Sequence, residues 1–183
     1  MKKIILATIL ALSTTALFAK ETKLLPILND ADYCLTPGVA VLGGFGSYGD
    51  ADSEAMYGVE LSIACPVLQL STLDIKQQIS LVYQSQDGFD ATALEFNPHV
   101  MFDLSNNLQV GVGPGFGVIF ADAQKSDTVF EVGAGASLNY DITQSMFIGL
   151  ETRYMFTTDA ELVTGTKTDL NNYRTLLKAG IHF

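Results

Sequence analysis

Eight stretches of this chain alternate apolar residues with polar residues or glycine at a period of two, and that repetition restricts the fold more than any other feature. They span 38–47, 56–65, 73–84, 92–104, 108–120, 128–140, 145–157 and 173–183. A period of two is the signature of a β-strand whose two faces meet different surroundings. The stretch LQVGVGPGFGVIF at 108–120 is the extreme case, with glycine at 111, 113, 115 and 117 and Val110, Val112, Pro114, Phe116 and Val118 around them. It is not a phosphate-cradling loop, because the glycine spacing departs from G-x-G-x-x-G and no helical pattern follows. One face is bulky and apolar, and the other is nearly bare backbone.

The same division runs through the other segments. One face carries Val39, Val41 and Phe45; Tyr57, Val59 and Leu61; Ile79, Leu81 and Tyr83; Leu94, Phe96 and Phe102; Phe130, Val132 and Leu138; Ile148, Leu150 and Tyr154; and Leu177, Ile181 and Phe183. The opposite face carries charge, amide and glycine. In a soluble sandwich the apolar face would be the core. Three features oppose that reading. Most segments are twice as long as the roughly 5–6 residues usual for a globular strand. The opposite face is rich in glycine, which suits a crowded interior better than a wet surface. The connections alternate, short around Asn106-Asn107 and Asp141–Gln144, longer or more charged in SYGDADSEA, SQDGFDA, DAQKSDT and TTDAELVTGTKTDLNN.

The start, MKKIILATILALSTTALFAK, has a basic beginning, an apolar core and a small residue at Ala19. It is a secretory signal with cleavage before Lys20. Its apolar run falls short of the roughly 20 residues that a spanning helix needs. The formal charge is −10; residues 1–19 hold two lysines and no acid, so the remainder carries about −12 (−10 − 2). Such acidity excludes nucleic acid as a partner, since binding it requires a basic footprint. Yet 48% of residues are hydrophobic and only 16% are charged. An exported acidic chain that is this oily has apolar surface to hide, and lipid is the place to hide it.

These observations predict an all-β fold: an eight-stranded antiparallel up-and-down transmembrane β-barrel over 37–183, preceded by a signal peptide at 1–19 and a short periplasmic N-terminal segment at 20–36. An even strand count with short turns at one end and long loops at the other fits such a barrel, and closure removes edges that lipid would not tolerate. With the chain entering from the periplasm, Phe45, Tyr57, Tyr83, Phe120, Phe130, Tyr154, Phe156 and Tyr173 gather at the outer end of the greasy face. Phe102, Tyr140 and Phe183 gather at the periplasmic end. These form two interfacial girdles. Eight strands leave an interior just wide enough for side chains, so the glycines at 111–117 make room for longer side chains from other strands.

The chain's last stretch, Tyr173 to Phe183, ends in an aromatic, with Tyr173, Leu177 and Ile181 outward. It resembles the C-terminal assembly signal of bacterial outer-membrane proteins, which implies recognition by the barrel-assembly machinery during insertion. The whole resembles the small eight-stranded barrels of the OmpA/OmpX type, and location in the outer membrane among lipid and lipopolysaccharide is what that resemblance implies.

Parity places Glu60, Glu95, Glu131 and Glu151 in the lumen with Lys76, Arg153, Arg174, Lys178 and His99. Buried charges must pair or cost several kcal/mol each, so an ion-pair network plugging the lumen is expected, with the two arginines as bidentate partners. A turn centred on Asn106 sets Pro98 opposite Pro114. Each lacks an N–H, so the pair predicts a weak seam in the wall. Cys34 and Cys65 fall near the periplasmic rim, where oxidising conditions permit a disulfide. The alternative is two small buried apolar residues. No metal- or cofactor-binding pattern is present. A Ser/His/acid lipid-modifying enzyme is disfavoured because neither His99 nor His182 sits near the outer surface. The expected role is structural or surface-interacting, as a monomer with a narrow, plugged lumen. The alternative is a small channel for ions or for apolar solutes leaving laterally near Pro98 and Pro114.

Overall fold

The computed structural model describes residues 22–49, 51–70, 74–86 and 88–183; the signal-peptide assignment therefore lies outside the described residues. Eight strands form one closed antiparallel barrel: β1 (Gly38–Tyr48), β2 (Glu54–Ala64), β3 (Asp74–Gln86), β4 (Phe89–Ser105), β5 (Leu108–Asp122), β6 (Ser126–Asp141), β7 (Met146–Thr157) and β8 (Asn172–His182). Each strand pairs with its sequence neighbours, and β8 closes the ring on β1 from Asn172↔Tyr48 to His182↔Gly38. The alternation read from sequence is the alternation of this wall. Val41, Phe45, Tyr57, Val59, Phe130, Val132, Leu150 and Leu177 are all exposed on the outside. Glu60, Gln78, Glu95, His99, Glu131, Glu151, Arg153, Arg174 and Lys178 are all buried inside. Apolar area of this extent would be driven out of water, and a closed strand ladder leaves no unpaired edge, so the wall suits hydrocarbon.

The glycine run does what its pattern predicts. A Cβ on Gly111 would lie 2.6 Å from Ser137 Oγ and 3.1 Å from His99 Nδ1; one on Gly117 would lie 3.0 Å from both Glu131 Oε1 and Glu95 Cγ. Bare backbone on β5 is the space that His99, Ser137, Glu95 and Glu131 occupy. The girdle residues meet sideways, with Tyr57 and Tyr83 ring centroids 5.2 Å apart and Tyr154 and Phe156 5.0 Å apart. The band between the girdles is not purely aliphatic, because Phe96 and Phe116 stack at 6.1 Å across β4 and β5.

The connections differ from expectation. SQDGFDA is not a loop: β3 and β4 pair through it, Ser85↔Asp90 and Gln86↔Phe89. The turn closes at Gly88, whose φ of +83° suits a residue without a side chain. DAQKSDT likewise narrows to the turn between Asp122 and Ser126, which themselves pair. Charged residues there decorate strands that continue beyond the girdle. Of the connections at that end, 158–171 is the longest, and it forms its own hairpin from Ala160–Val163 and Thr166–Thr168. At the other end, the connection after β2 carries a short strand, Leu68–Leu70, which pairs with Thr22–Leu24 of the N-terminal segment.

Candidate functional site

The lumen is filled in three storeys. In the middle, Lys178 Nζ lies 2.8 Å from Glu60 Oε2 and 2.9 Å from Glu151 Oε2. Arg153 Nε pairs with the other oxygen of Glu151, its Nη2 donates to Gln78 Oε1 at 3.0 Å, and Glu95 Oε2 stands 4.0 Å away. Arg174 pairs with Glu95, whose second oxygen accepts from Ser80 Oγ and Asn97 Nδ2, each at 3.2 Å. Five strands thus contribute to one connected set: β2 gives Glu60, β3 Gln78 and Ser80, β4 Glu95 and Asn97, β7 Glu151 and Arg153, and β8 Arg174 and Lys178. Such a set is stable only when every member is satisfied.

Of the nine residues expected in the network, six are joined: Glu60, Glu95, Glu151, Arg153, Arg174 and Lys178. The other three have neutral partners. Glu131 accepts from Asn172 Nδ2 at 3.1 Å, His99 Nδ1 meets Ser137 Oγ at 2.9 Å, and Lys76 Nζ reaches Gln109 Oε1 at 3.5 Å. The arginines do not hold single carboxylates in a two-pronged clasp. Arg153 divides its donors between Glu151, two residues before it on β7, and Gln78, which reaches it from β3.

The storey towards the 158–171 hairpin is apolar. Met56, Val82, Ile119, Val129 and Leu176 point inward there, and Ala160, Leu162 and Leu170 of the hairpin connection close over them. The roof is tied down at its edges. Lys125 N–H donates to Leu162 O at 3.1 Å, Glu161 N–H to Asp127 Oδ2 at 2.8 Å, and Lys125 Nζ meets Glu161 Oε1 at 3.1 Å. The Glu161 amide, followed by that of Thr128, holds the Asp127 carboxyl below the usual range. The Gly165 amide and then Lys125 do the same for Glu161. Sequence parity marked these inward positions, but attention to charge and glycine passed over them.

The storey towards the short turns holds a polar cavity of about the size of one water, between Glu60, Lys76, Gln78 and Asn139, with the stacked rings of Phe147 and His182 beside it at 4.5 Å. His182 Nε2 lies 3.3 Å from Asp141 Oδ1.

Among the described residues, one ladder of the wall is interrupted in mid-strand. Between β4 and β5 the pairs Phe96↔Phe116 and Val100↔Val112 form, whereas residues 97–99 and 113–115 between them do not pair. Pro98 and Pro114 face each other at the centre of this gap; the turn is not centred on Asn106, since Ser105 pairs with Leu108, and the bulge between Asp103 and Ser105 brings the strands into the expected register. On their other edges the ladders hold, Pro98↔Gln77 and Pro114↔Ala134. Antiparallel strands exchange two N–H···O=C bonds at every second pair. Two prolines at one such pair remove both bonds, and a symmetric gap follows. Asn97 Oδ1 and His99 Nε2 sit behind it, both buried and without a hydrogen-bond partner among the described residues.

Cys34 is an exposed free thiol and Cys65 a buried one, so the permitted bridge is not formed; Cys65 is the small buried apolar residue of the alternative. Tyr173, Leu177, Ile181 and Phe183 are all exposed on the outer face. Among the described residues no group of three or more His, Cys, Asp or Glu side chains could hold a metal ion.

An eight-stranded closed wall, apolar outside and charged inside, with aromatic girdles, is the fold of the small outer-membrane β-barrels. Comparison with solved structures gives the same fold. Neisserial surface protein A matches with a TM-score of 0.59 at 11% identity, over 80% of this chain and 97% of its own. Ail, the attachment invasion locus protein of Yersinia pestis, matches with 0.53 at 13%, over 82% of this chain and all of its own. No family model and no curated protein sequence matches the chain.

Proposed function

We propose that this protein is a structural or surface-interacting barrel with a closed lumen, working through its exposed ends rather than through a pore. The network joining Lys178, Glu151, Arg153, Glu95 and Arg174, roofed by Met56, Ile119, Leu176 and Leu170, is the observation that carries this reading. Opening a path would expose buried charges and apolar side chains at once. The 158–171 hairpin faces outward on this reading. Its own Asp159 and its neighbours Asp90, Asp122 and Asp127 give that end a negative surface suited to lipopolysaccharide through bridging divalent cations. Planar-bilayer recording tests the proposal. Silence across a broad voltage range is expected, and discrete unitary openings overturn it.

The gap at Pro98 and Pro114 favours a second reading, a small channel for ions, or for apolar solutes that leave sideways into lipid. Its test is uptake of an apolar solute by cells carrying the wild type or the Pro98→Ala, Pro114→Ala double variant. Restoring the ladder abolishes uptake if the seam is the exit, and unchanged uptake removes the reading. The lipid A mass profile with and without the protein is expected to be the same, since His99 and Ser137 are sealed in the lumen.

A further inference from the structure

The N-terminal segment preceding β1 carries an oily surface that neither the barrel wall nor the lumen accounts for. It folds back on the short-turn end and is held there by backbone bonds. Thr22–Leu24 pairs with Leu68–Leu70, Leu25 N–H donates to Val67 O at 2.7 Å, and Ala64 N–H donates to Leu35 O at 2.8 Å. Tyr33 Oη donates to Ala64 O at 2.7 Å. Between these ties runs one turn of helix, Pro26–Asn29.

Two facts locate the segment relative to the membrane-facing wall. Cys65 continues the outward parity of Leu61 and Ile63, and Ile75 that of Gln77 and Ile79. Yet Cys65 is 6% and Ile75 7% exposed, while Leu61 and Leu81 higher on the same strands are 41% and 46% exposed. Pro26 is buried as well. The wall is therefore covered at this corner, where the N-terminal segment is fastened. The second fact is what the segment itself shows outward. Leu24 is 67% and Leu28 76% exposed, with Leu25, Ile27 and Val67 exposed beside them. Its polar groups bind each other instead: Lys23 Nζ lies 2.5 Å from Asp30 Oδ2, and Asp30 Oδ1 accepts from the Asp32 amide.

An apolar patch on an otherwise acidic chain calls for an apolar phase. The nearest one is set by the barrel. The lipid-facing band ends at this rim with Phe102, Leu104, Tyr140 and Phe183, all exposed. A segment lying on the outside of the wall at that height continues the band. We propose that residues 22–35, with Val67, form a membrane-interface anchor. Leu24, Leu25, Ile27 and Leu28 enter the boundary between headgroups and acyl chains of a phospholipid leaflet, while Asp30 and Asp32 stay in water. Interfacial segments bind this way, with an apolar face sunk a few ångströms and a polar face wet. The anchor rests on the barrel fold, not on whether the lumen conducts.

The chain has no tryptophan, so a single introduced one reports alone. Leu28→Trp is tested with Leu150→Trp, on the lipid-facing band, as the reference. Each is refolded into phosphatidylethanolamine and phosphatidylglycerol vesicles, plain or with bromine atoms near the headgroup end of the acyl chains. Leu28→Trp should lose about half of its emission or more to the brominated lipid and resist aqueous iodide. Quenching of Leu150→Trp but not Leu28→Trp overturns the anchor and leaves the barrel standing. Shielding of Leu28→Trp from both quenchers means that protein, a second copy of this chain included, covers the patch, and that also overturns it. Failure of Leu150→Trp to be quenched would remove the membrane-facing wall itself, and the anchor with it.

Discussion

Pro98 and Pro114 oppose each other across β4 and β5 at the centre of an interrupted ladder. Two backbone carbonyls there have lost their donors inside a membrane-facing wall, where no water can substitute. Changing both prolines to alanine should restore the pairing of residues 97–99 with 113–115. Each recovered bond contributes about 0.5–1.5 kcal/mol, and each lost proline gives back about 0.4–1 kcal/mol of unfolded-chain entropy. The net expectation is a gain of about 1 kcal/mol, read as a raised urea midpoint of unfolding from detergent micelles. The amides newly present at positions 98 and 114 should be protected from hydrogen exchange, since each points across the β4–β5 pair. Fast exchange at both positions would mean that the gap is not caused by the missing N–H groups.

Lys178 is the sole cation within 4.0 Å of Glu60 among the described residues, and it shares Glu151 with Arg153. Lys178→Met should destabilise the barrel by about 3–5 kcal/mol, because it leaves Glu60 buried and unpaired. Adding Glu60→Gln should recover part of that loss, since the second substitution removes the stranded charge. Urea unfolding of the two single variants and the double variant measures the coupling. Purely additive losses would show that the two side chains act independently.

The two kinds of glycine in the wall should respond oppositely. A Cβ on Gly113 would fall on the Pro98 carbonyl oxygen and 2.9 Å from His99 Cδ2, whereas one on Gly43 meets nothing within 4 Å. Gly113→Ala should cost on the order of 1–3 kcal/mol through crowding. Gly43→Ala should be neutral or stabilising by up to about 1 kcal/mol, since glycine in a strand interior carries an entropic penalty. The same unfolding assay separates them, and equal effects would contradict the inward–outward assignment of these positions.

How much of this was legible in the sequence depended on which information is local. Parity is local, so the side taken by Glu60, Leu150 or Gly113 follows from its neighbours alone. The turn is only partly local: Ser105 pairs with Leu108 around Asn106-Asn107, which alone would set Pro98 against Gly115, and the bulge between Asp103 and Ser105 shifts the register so that Pro98 meets Pro114. Pairing across the lumen is not local. Lys178 meets Glu60 and Glu151 because β8 closes on β1 in one register, and nothing in either strand announces it. The partners of Lys76, His99 and Glu131 were missed for that reason. Charged stretches misled in another way. SQDGFDA reads as a loop by composition, yet an antiparallel pair continues through it once Gly88 supplies the turn. The apolar roof was available in principle, since Met56, Val82 and Ile119 hold inward parity at one end. What covers them, Leu162 and Leu170, lies in a connection with no period of two.

The roof should loosen in acid. Asp127 and Glu161 both titrate below the ordinary carboxylate range, chiefly because the amides of Glu161 and Gly165 bond their ionised forms. A group whose folded pKa is depressed stabilises the fold above its unfolded pKa, and that contribution disappears as pH falls through the folded pKa. The tie between hairpin and β6 is therefore complete at neutral pH. It weakens only as the pH drops from the normal carboxylate range to below the depressed values. Both groups lie half-buried at the rim of the barrel, outside its core, so the effect is local fraying rather than unfolding of the barrel. Hydrogen exchange corrected for intrinsic rates should show Glu161 and Gly165 amides losing protection in acid, while that of Leu176 on β8 is unchanged. Asp127→Asn should shift the Glu161 amide towards its acid behaviour at neutral pH. Protection of Glu161 that is the same in acid and at neutrality would mean that backbone bonds such as Lys125 N–H to Leu162 O hold the roof without these carboxylates.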